Sequence, residues 1–407
     1  MRRSSSRRSL IALPLILPCS LPHLFSILLL FAGTLVSGPR TARAQEGAVL
    51  TGYFEHQYSL ARHDGAWSHL DYDRLRADVD VTAGRSTRAS AAVVWQIYRG
   101  NTSIRLRDLL PERYKALAPT FPIPIEDQHF LNHAYVVLRP GPFTITAGKQ
   151  YLAWGRGMVF NPTELFRPKN LLEPTYEREG VGAVQASLPT GPLGDISLVY
   201  VPDGGPRSSA KALRLRHHIS GWDLSALVAE LHESTSLDFM GRPVGGTERR
   251  LVLGGDVTGE VLGFGLWGEA TYNRHAGSTW WEATVGGNTT LPWGTLLAVE
   301  GYYDGRGQWD EPYSLTTWLS RLTGTRRTLG KGMLFATLSH PAWQLWTFSV
   351  SGLANTGDRS LVLIPTVLYS FAQNVDLTLY GYLSAGDEGT EFGSQGQGGF
   401  IRARVYF

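Results

Sequence analysis

Among 407 residues there is one cysteine, Cys19, and it lies in an N-terminal apolar stretch. Beyond residue 44 the chain therefore offers no disulfide, no thiolate nucleophile and no cysteine-based zinc site. That part also lacks any run of 18 or more apolar residues, which excludes a transmembrane helix. No G-x-S-x-G elbow, H-E-x-x-H pair or phosphate loop in a strand-to-helix setting occurs, so no catalytic residue, metal site or cofactor is expected. A strong charge of one sign is missing too. The six arginines of residues 1–44, which contain no acid, leave 32 basic residues against 35 acidic, a net charge near −3 where the whole chain has +3. Nothing in this balance fits a nucleic-acid partner.

The N-terminus reads as an export signal. Arg2, Arg3, Arg7 and Arg8 precede an apolar stretch from Leu10 to Val36, broken by Pro14, Pro18 and Pro22. Ala42-Arg43-Ala44 then supplies an A-x-A site, and cleavage after Ala44 is expected. Residues 45–407 read as a single domain.

That domain is patterned in twos. Arg74-Leu75-Arg76-Ala77-Asp78-Val79-Asp80-Val81 alternates charge with apolar groups without a break. Leu213-Arg214-Leu215-Arg216 does the same, and so does the end of the chain, where Ile401, Ala403, Val405 and Phe407 share one strand face and Arg402, Arg404 and Tyr406 the other. About eighteen such segments follow one another. Their connections alternate: short ones at 84–86, 140–142, 189–194, 220–221, 258–259, 292–294, 341–342 and 372–373; long or polar ones near 62–67, 100–128, 151–179, 203–208, 234–247, 273–277, 304–328, 355–358 and 386–396. A β-sandwich gives no reason for that rhythm, and a propeller would show a blade repeat. An all-β transmembrane antiparallel β-barrel of 16–18 strands, with short periplasmic turns and long extracellular loops, predicts it. Its apolar face meets lipid and its polar face lines a lumen wide enough for water. Trp222, Trp293 and Trp343 fall at predicted periplasmic turns, and Trp67, Trp280, Trp281 and Trp309 near predicted outer loops, as an interfacial aromatic girdle requires.

Two loops carry the candidate chemistry. The first, 100–128, has the makings of a short helix on either side of Pro111 and a place at the pore mouth. The second, 151–179, mixes Arg156, Glu164, Arg167 and Lys169 with Trp154, Phe160, Leu165 and Phe166, too apolar a set for a solvated loop. Folding inward would pack Trp154, Phe160 and Phe166 on the wall and narrow the pore. On the wall, Arg74, Arg76, Arg214, Arg216, Arg402 and Arg404 all face the lumen by alternation. They read either as partners in cross-strand ion pairs or as a basic ladder across the barrel closure that favours anionic solutes. His217 and His218 point to opposite faces and cannot chelate together, while His63, His69, Asp64 and Asp71 flank an outer connection.

The stretch Gly148-Lys149-Gln150, Trp154-Gly155-Arg156-Gly157 and Asn161-Pro162-Thr163-Glu164-Leu165-Phe166 resembles a segment of uncharacterised porin-like outer-membrane proteins. The terminal Phe407 adds to the resemblance. It implies a channel in the bacterial outer membrane and does not fix the solute; the lumen-facing arginines are what point to small hydrophilic solutes, anionic among them. An outer-membrane barrel brings lipid and lipopolysaccharide as surroundings and insertion by the barrel-assembly machinery through the C-terminal strand signalled by Phe407, with a homotrimer as one open assembly. The alternatives are a non-conducting barrel serving as scaffold or adhesin, a barrel hydrolase, and a secreted soluble β-protein.

Overall fold

The computed structural model describes residues 46–63, 66–203, 205, 208–234, 247–310, 312–393 and 396–407. The expected export signal and Asp64 lie outside them. The described chain forms eighteen antiparallel strands in one sheet: β1 (Glu46–His63), β2 (Ala66–Ala83), β3 (Thr87–Gly100), β4 (Gln128–Leu138), β5 (Thr144–Gln150), β6 (Val181–Gly191), β7 (Gly194–Val201), β8 (Ala210–Ile219), β9 (Trp222–Ser234), β10 (Thr247–Val261), β11 (Phe264–His275), β12 (Ser278–Thr290), β13 (Leu296–Asp304), β14 (Gly332–Ala342), β15 (Trp346–Asn355), β16 (Leu361–Ala372), β17 (Val375–Ala385) and β18 (Gln397–Tyr406). Each strand pairs with the next. The last pairs with the first, from Tyr53 opposite Tyr406 to Arg62 opposite Gln397, so the sheet is a closed barrel with no free edge.

Burial in this barrel is inverted relative to a soluble protein. Val285, Ile401 and Leu198 stand exposed at 69%, 58% and 57%, while their strand neighbours Glu300, Glu282 and Arg402 are buried. Alternation produces both faces at once: Leu75, Ala77, Val79 and Val81 of β2 point out, and Arg74, Arg76, Asp78 and Asp80 point in. An outer surface of Leu, Val and Ile over a charged interior is the arrangement a membrane selects, because lipid replaces the missing apolar core. No helix among the described residues is long and apolar enough to cross a membrane, and a barrel crosses on its strands.

The tight turns lie on the side of the termini. At Ser220-Gly221 and Leu262-Gly263 both residues have positive φ, 51° and 84°, then 52° and 80°, the backbone that lets a two-residue link match strand twist. The second of these corrects the turn expected at Thr258-Gly259. Strand β10 runs on to Val261, with Gly259 lying against the Trp222 ring. Two outer connections are also shorter than expected. The pairing of β1 with β2 extends to His63 and Ala66, and that of β11 with β12 to His275 and Ser278, where Ala276 and Gly277 both have positive φ.

Candidate pore constriction

The segment between β5 and β6, residues 151–180, has no regular secondary structure. Even so, Leu152, Trp154, Val159, Phe160, Asn161, Thr163 and Glu164 are buried. The burial comes from the barrel wall. Leu152 and Trp154 share a buried cluster with Ala183, Val199, Ala212, Leu227 and Val252, inward side chains of β6 to β10. Phe166 meets that ring edge-on at 5.5 Å. Six residues after Trp154, Phe160 lies flat on Tyr302 of β13, 4.4 Å between centroids and 2° between planes, within a cluster that reaches β17. Further along, Tyr176 stands among the arginines of β2 and β18. The segment thus touches the wall on several sides and lies inside the lumen.

Two wall carboxylates hold it by its backbone. Glu269 of β11 accepts hydrogen bonds from the amides of Arg156, Gly157 (2.7 Å) and Thr163 (3.2 Å), from the Thr163 hydroxyl (2.7 Å) and from Asn161 Nδ2 (2.9 Å). Glu300 of β13 accepts from the amides of Met158 (2.6 Å), Val159 (3.1 Å) and Phe160 (2.7 Å) and from the Trp267 indole (2.9 Å). Successive amides that converge on a carboxylate form an anion-binding concavity. The turn that presents them has no room for side chains at two places. A Cβ on Gly155 would lie 2.3 Å from Asn161 Nδ2, and one on Gly157 2.1 Å from the Phe160 carbonyl oxygen. This is the physical content of the W-G-x-G and N-P-x-E spacing. Glu269 and Glu300 themselves are not singled out by sequence; alternation places them inward, but so it does many other acids.

At the barrel closure four predicted arginines come together, each with an acid. Arg404 donates to Glu55 (2.7 Å), Arg402 to Glu173 (2.6 Å), and Arg76 to both Asp78 (2.7 Å) and Glu177 (2.6 Å). Arg74 lies 3.7 Å from Glu177 and donates to the Tyr176 hydroxyl at 2.8 Å. The Tyr176 hydroxyl in turn donates to Glu55 at 2.8 Å, and its ring lies beneath Arg402 at 4.6 Å and Arg74 at 5.4 Å. Four guanidiniums thus meet Glu55, Asp78, Glu173 and Glu177, two of which come from the inward segment.

The other predicted residues are spread out. Arg156 and Arg214 share Asp256, at 3.3 and 2.9 Å. Arg216 pairs with Asp195 at 2.7 Å on an exposed stretch near the 192–193 turn. Arg167 is exposed and reaches Glu179 at 3.5 Å. Lys169 turns back into its own segment, donating to the carbonyls of Gly157 (2.6 Å) and Met158 (3.1 Å); burial holds its amine below the ordinary lysine value. Glu164 pairs with Arg178 at 3.1 Å, and burial pushes its carboxyl above the ordinary range against that partner. Trp293 and Trp343 stand exposed at their turns, and Trp222 is half-buried. Of the outer tryptophans, Trp281 is exposed but Trp280 is buried inside, its indole donating to Glu282 at 2.9 Å. Adjacent strand residues face opposite ways, so only one of the pair can join a girdle. Phe407 follows Tyr406, the last paired residue.

The outer mouth is partly covered. A 3₁₀ turn at Leu106–Leu109 and a one-turn helix α1 (Glu112–Lys115) flank Pro111. Across the barrel, the loop between β13 and β14 carries an unforeseen helix α2 (Leu315–Leu322), capped by Ser314, whose hydroxyl accepts from the Thr317 amide at 3.2 Å. Leu106 and Leu110 share a buried cluster with Tyr313, Trp318 and Leu329, and Tyr114 donates to the Tyr313 carbonyl at 2.8 Å. Loops rooted on opposite walls thus meet across the barrel.

No family model and no curated protein matches the chain by sequence. Among solved structures it is similar to OccAB4 of Acinetobacter baumannii, with a TM-score of 0.55 at 8% identity over 89% of this chain and 99% of that one. It is likewise similar to OpdQ of Pseudomonas aeruginosa, with a TM-score of 0.53 at 8% identity over 90% and 99%. The chain thus has the porin fold of the bacterial outer membrane, as an 18-stranded barrel.

Proposed function

We propose that the protein is an outer-membrane channel for passive diffusion of small hydrophilic solutes, selecting by size and hydrogen bonding more than by charge sign. The carrying observation is the segment 151–180 held inside a closed, charge-lined barrel by Glu269 and Glu300. A barrel of this strand number leaves an aqueous lumen, and an inward segment narrows it. An anion preference through Arg74, Arg76, Arg402 and Arg404 depends on field left over after pairing. With Glu55, Asp78, Glu173 and Glu177 against them, that residue of field is small at physiological salt, where charges beyond about 8 Å are screened. In this reading residues 1–44 are the export signal removed after Ala44, and the apolar band contacts lipid and lipopolysaccharide. The last strand serves the assembly machinery, and trimerisation covers part of the band.

The cover built from the 101–127 and 305–331 loops supports a second reading, a barrel that rests closed and serves as a scaffold or adhesin. Recording in planar bilayers under a salt gradient separates the two. Discrete conductance steps with a reversal potential close to zero are expected. A folded barrel that never conducts leaves the scaffold, and a strongly anion-selective reversal potential overturns the compensated-wall account.

A further inference from the structure

Between the inward segment and the outer loop there is a half-open cavity of about 340 Å³, within the size range of small-molecule sites. One wall is apolar and belongs to the inward segment: Pro162, Leu165 and Pro168. The opposite wall carries Arg250, Arg306 and Arg327, with Thr323 and Thr325 from the outer loop. Each charge there already has a counter-charge. Arg250 pairs with Glu233 at 2.6 Å. Arg306 pairs with Asp304 at 3.2 Å and Glu282 at 3.3 Å. Arg327 lies 3.9 Å from Glu282. The Trp280 ring lies beneath Arg250 and Arg306, 5.1 and 4.6 Å from their guanidinium carbons, fixing both. A wall so compensated has little net field to hold an ion, but it offers fixed donors and acceptors at close spacing.

One acceptor is unused. Glu164 is 2% exposed and lines the cavity; its Oε2 meets Arg178, whereas Oε1 is buried with no hydrogen-bond partner among the described residues. Leaving a buried carboxylate oxygen unsatisfied is costly, and a donor arriving from the lumen would relieve that cost. The donor must belong to a solute that also accepts from guanidiniums and hydroxyls, carries no net charge, and presents a C–H face to two prolines and a leucine. Sugars combine these properties.

We propose that this cavity is a binding subsite for a neutral, polyhydroxylated solute of one or two sugar rings, with a hydroxyl donated to Glu164 Oε1. The subsite deepens the channel reading above and relies on it only for the route of entry. Calorimetric titration of the detergent-folded barrel with sucrose and glucose tests it, with gluconate and glucosamine as charged comparators of similar size. Saturable binding of the neutral sugars is expected, weakened about tenfold or more by Glu164→Ala and also weakened by Arg327→Gln. Heat-modifiable gel mobility checks that each variant is folded. Absence of saturable sugar binding, binding of only the charged comparators, or wild-type affinity in both folded variants would overturn the subsite. Because the titration needs no ion current, a barrel that binds sucrose without conducting keeps the subsite and removes the channel; one that conducts without binding does the reverse.

Discussion

Removing the carboxylate of Glu269 should release the inward segment. That carboxylate accepts five hydrogen bonds, three from amides, one from the Thr163 hydroxyl and one from Asn161. Glu269→Ala leaves all five donors without their partner. Hydrogen bonds to a charged acceptor contribute about 1.5–3 kcal/mol each, and lumen water would re-satisfy part of the loss. A net cost of about 3–5 kcal/mol is reasonable, in line with breaking a buried charged contact. That is roughly two to three and a half powers of ten in the docking equilibrium. Glu300 and the Phe160–Tyr302 stack would still hold the far side, so the expected state is a partly undocked segment in an intact barrel. In single-channel recordings this appears as larger, noisier open levels, while heat-modifiable mobility stays that of a folded barrel. Glu269→Gln keeps the shape but turns an N–H₂ toward donors, and should give an intermediate effect. Quiet, wild-type conductance in both folded variants would refute the claim that this carboxylate anchors the segment.

Three further outcomes follow from the same geometry. Glu173→Gln with Glu177→Gln removes two negative charges that face Arg402 and Arg76; the reversal potential under a salt gradient should shift toward anions, and no shift would mean these arginines lie off the permeation path. Gly157→Ala forces a Cβ to 2.1 Å from the Phe160 carbonyl oxygen, which is backbone and cannot step aside; segment release or lower folding yield is expected, with conductance noise and gel mobility as readouts. The Glu164 carboxyl, raised by burial, stabilises docking fully below the ordinary carboxylate value. That contribution is lost as pH rises through its folded-state value, so open-channel noise should fall on going from neutral to mildly acidic pH, and Glu164→Gln should flatten the response.

Much of the barrel was legible because alternation is a strong signal when it carries charge. The arginines and aspartates of β2 and the arginines of β18 could face only a wet interior, and the closure of β18 on β1 followed from strand order. The segment 151–180 betrayed itself through aromatics that needed a wall. What stayed hidden depends on contacts between distant parts of the chain. Glu269 and Glu300 differ from other inward acids only in facing amides more than a hundred residues earlier. Helix α2 is short and is stabilised by Leu106 and Leu110 from the opposite loop, a packing that local sequence does not announce. The link at 276–277 is tighter than expected because polar residues near a strand end resemble loop, although Ala276-Gly277 suits a tight turn. The pairing of Trp280 inward and Trp281 outward was recoverable from alternation alone.

In the proposed channel, the segment 151–180 narrows a conducting lumen. Single-channel recording of the purified wild-type barrel beside a variant with residues 155–168 replaced by a short Gly-Ser linker tests it most directly. Small, discrete steps are expected for the wild type and clearly larger steps for the shortened variant. A silent wild type, or equal conductance from the two folded proteins, would contradict it.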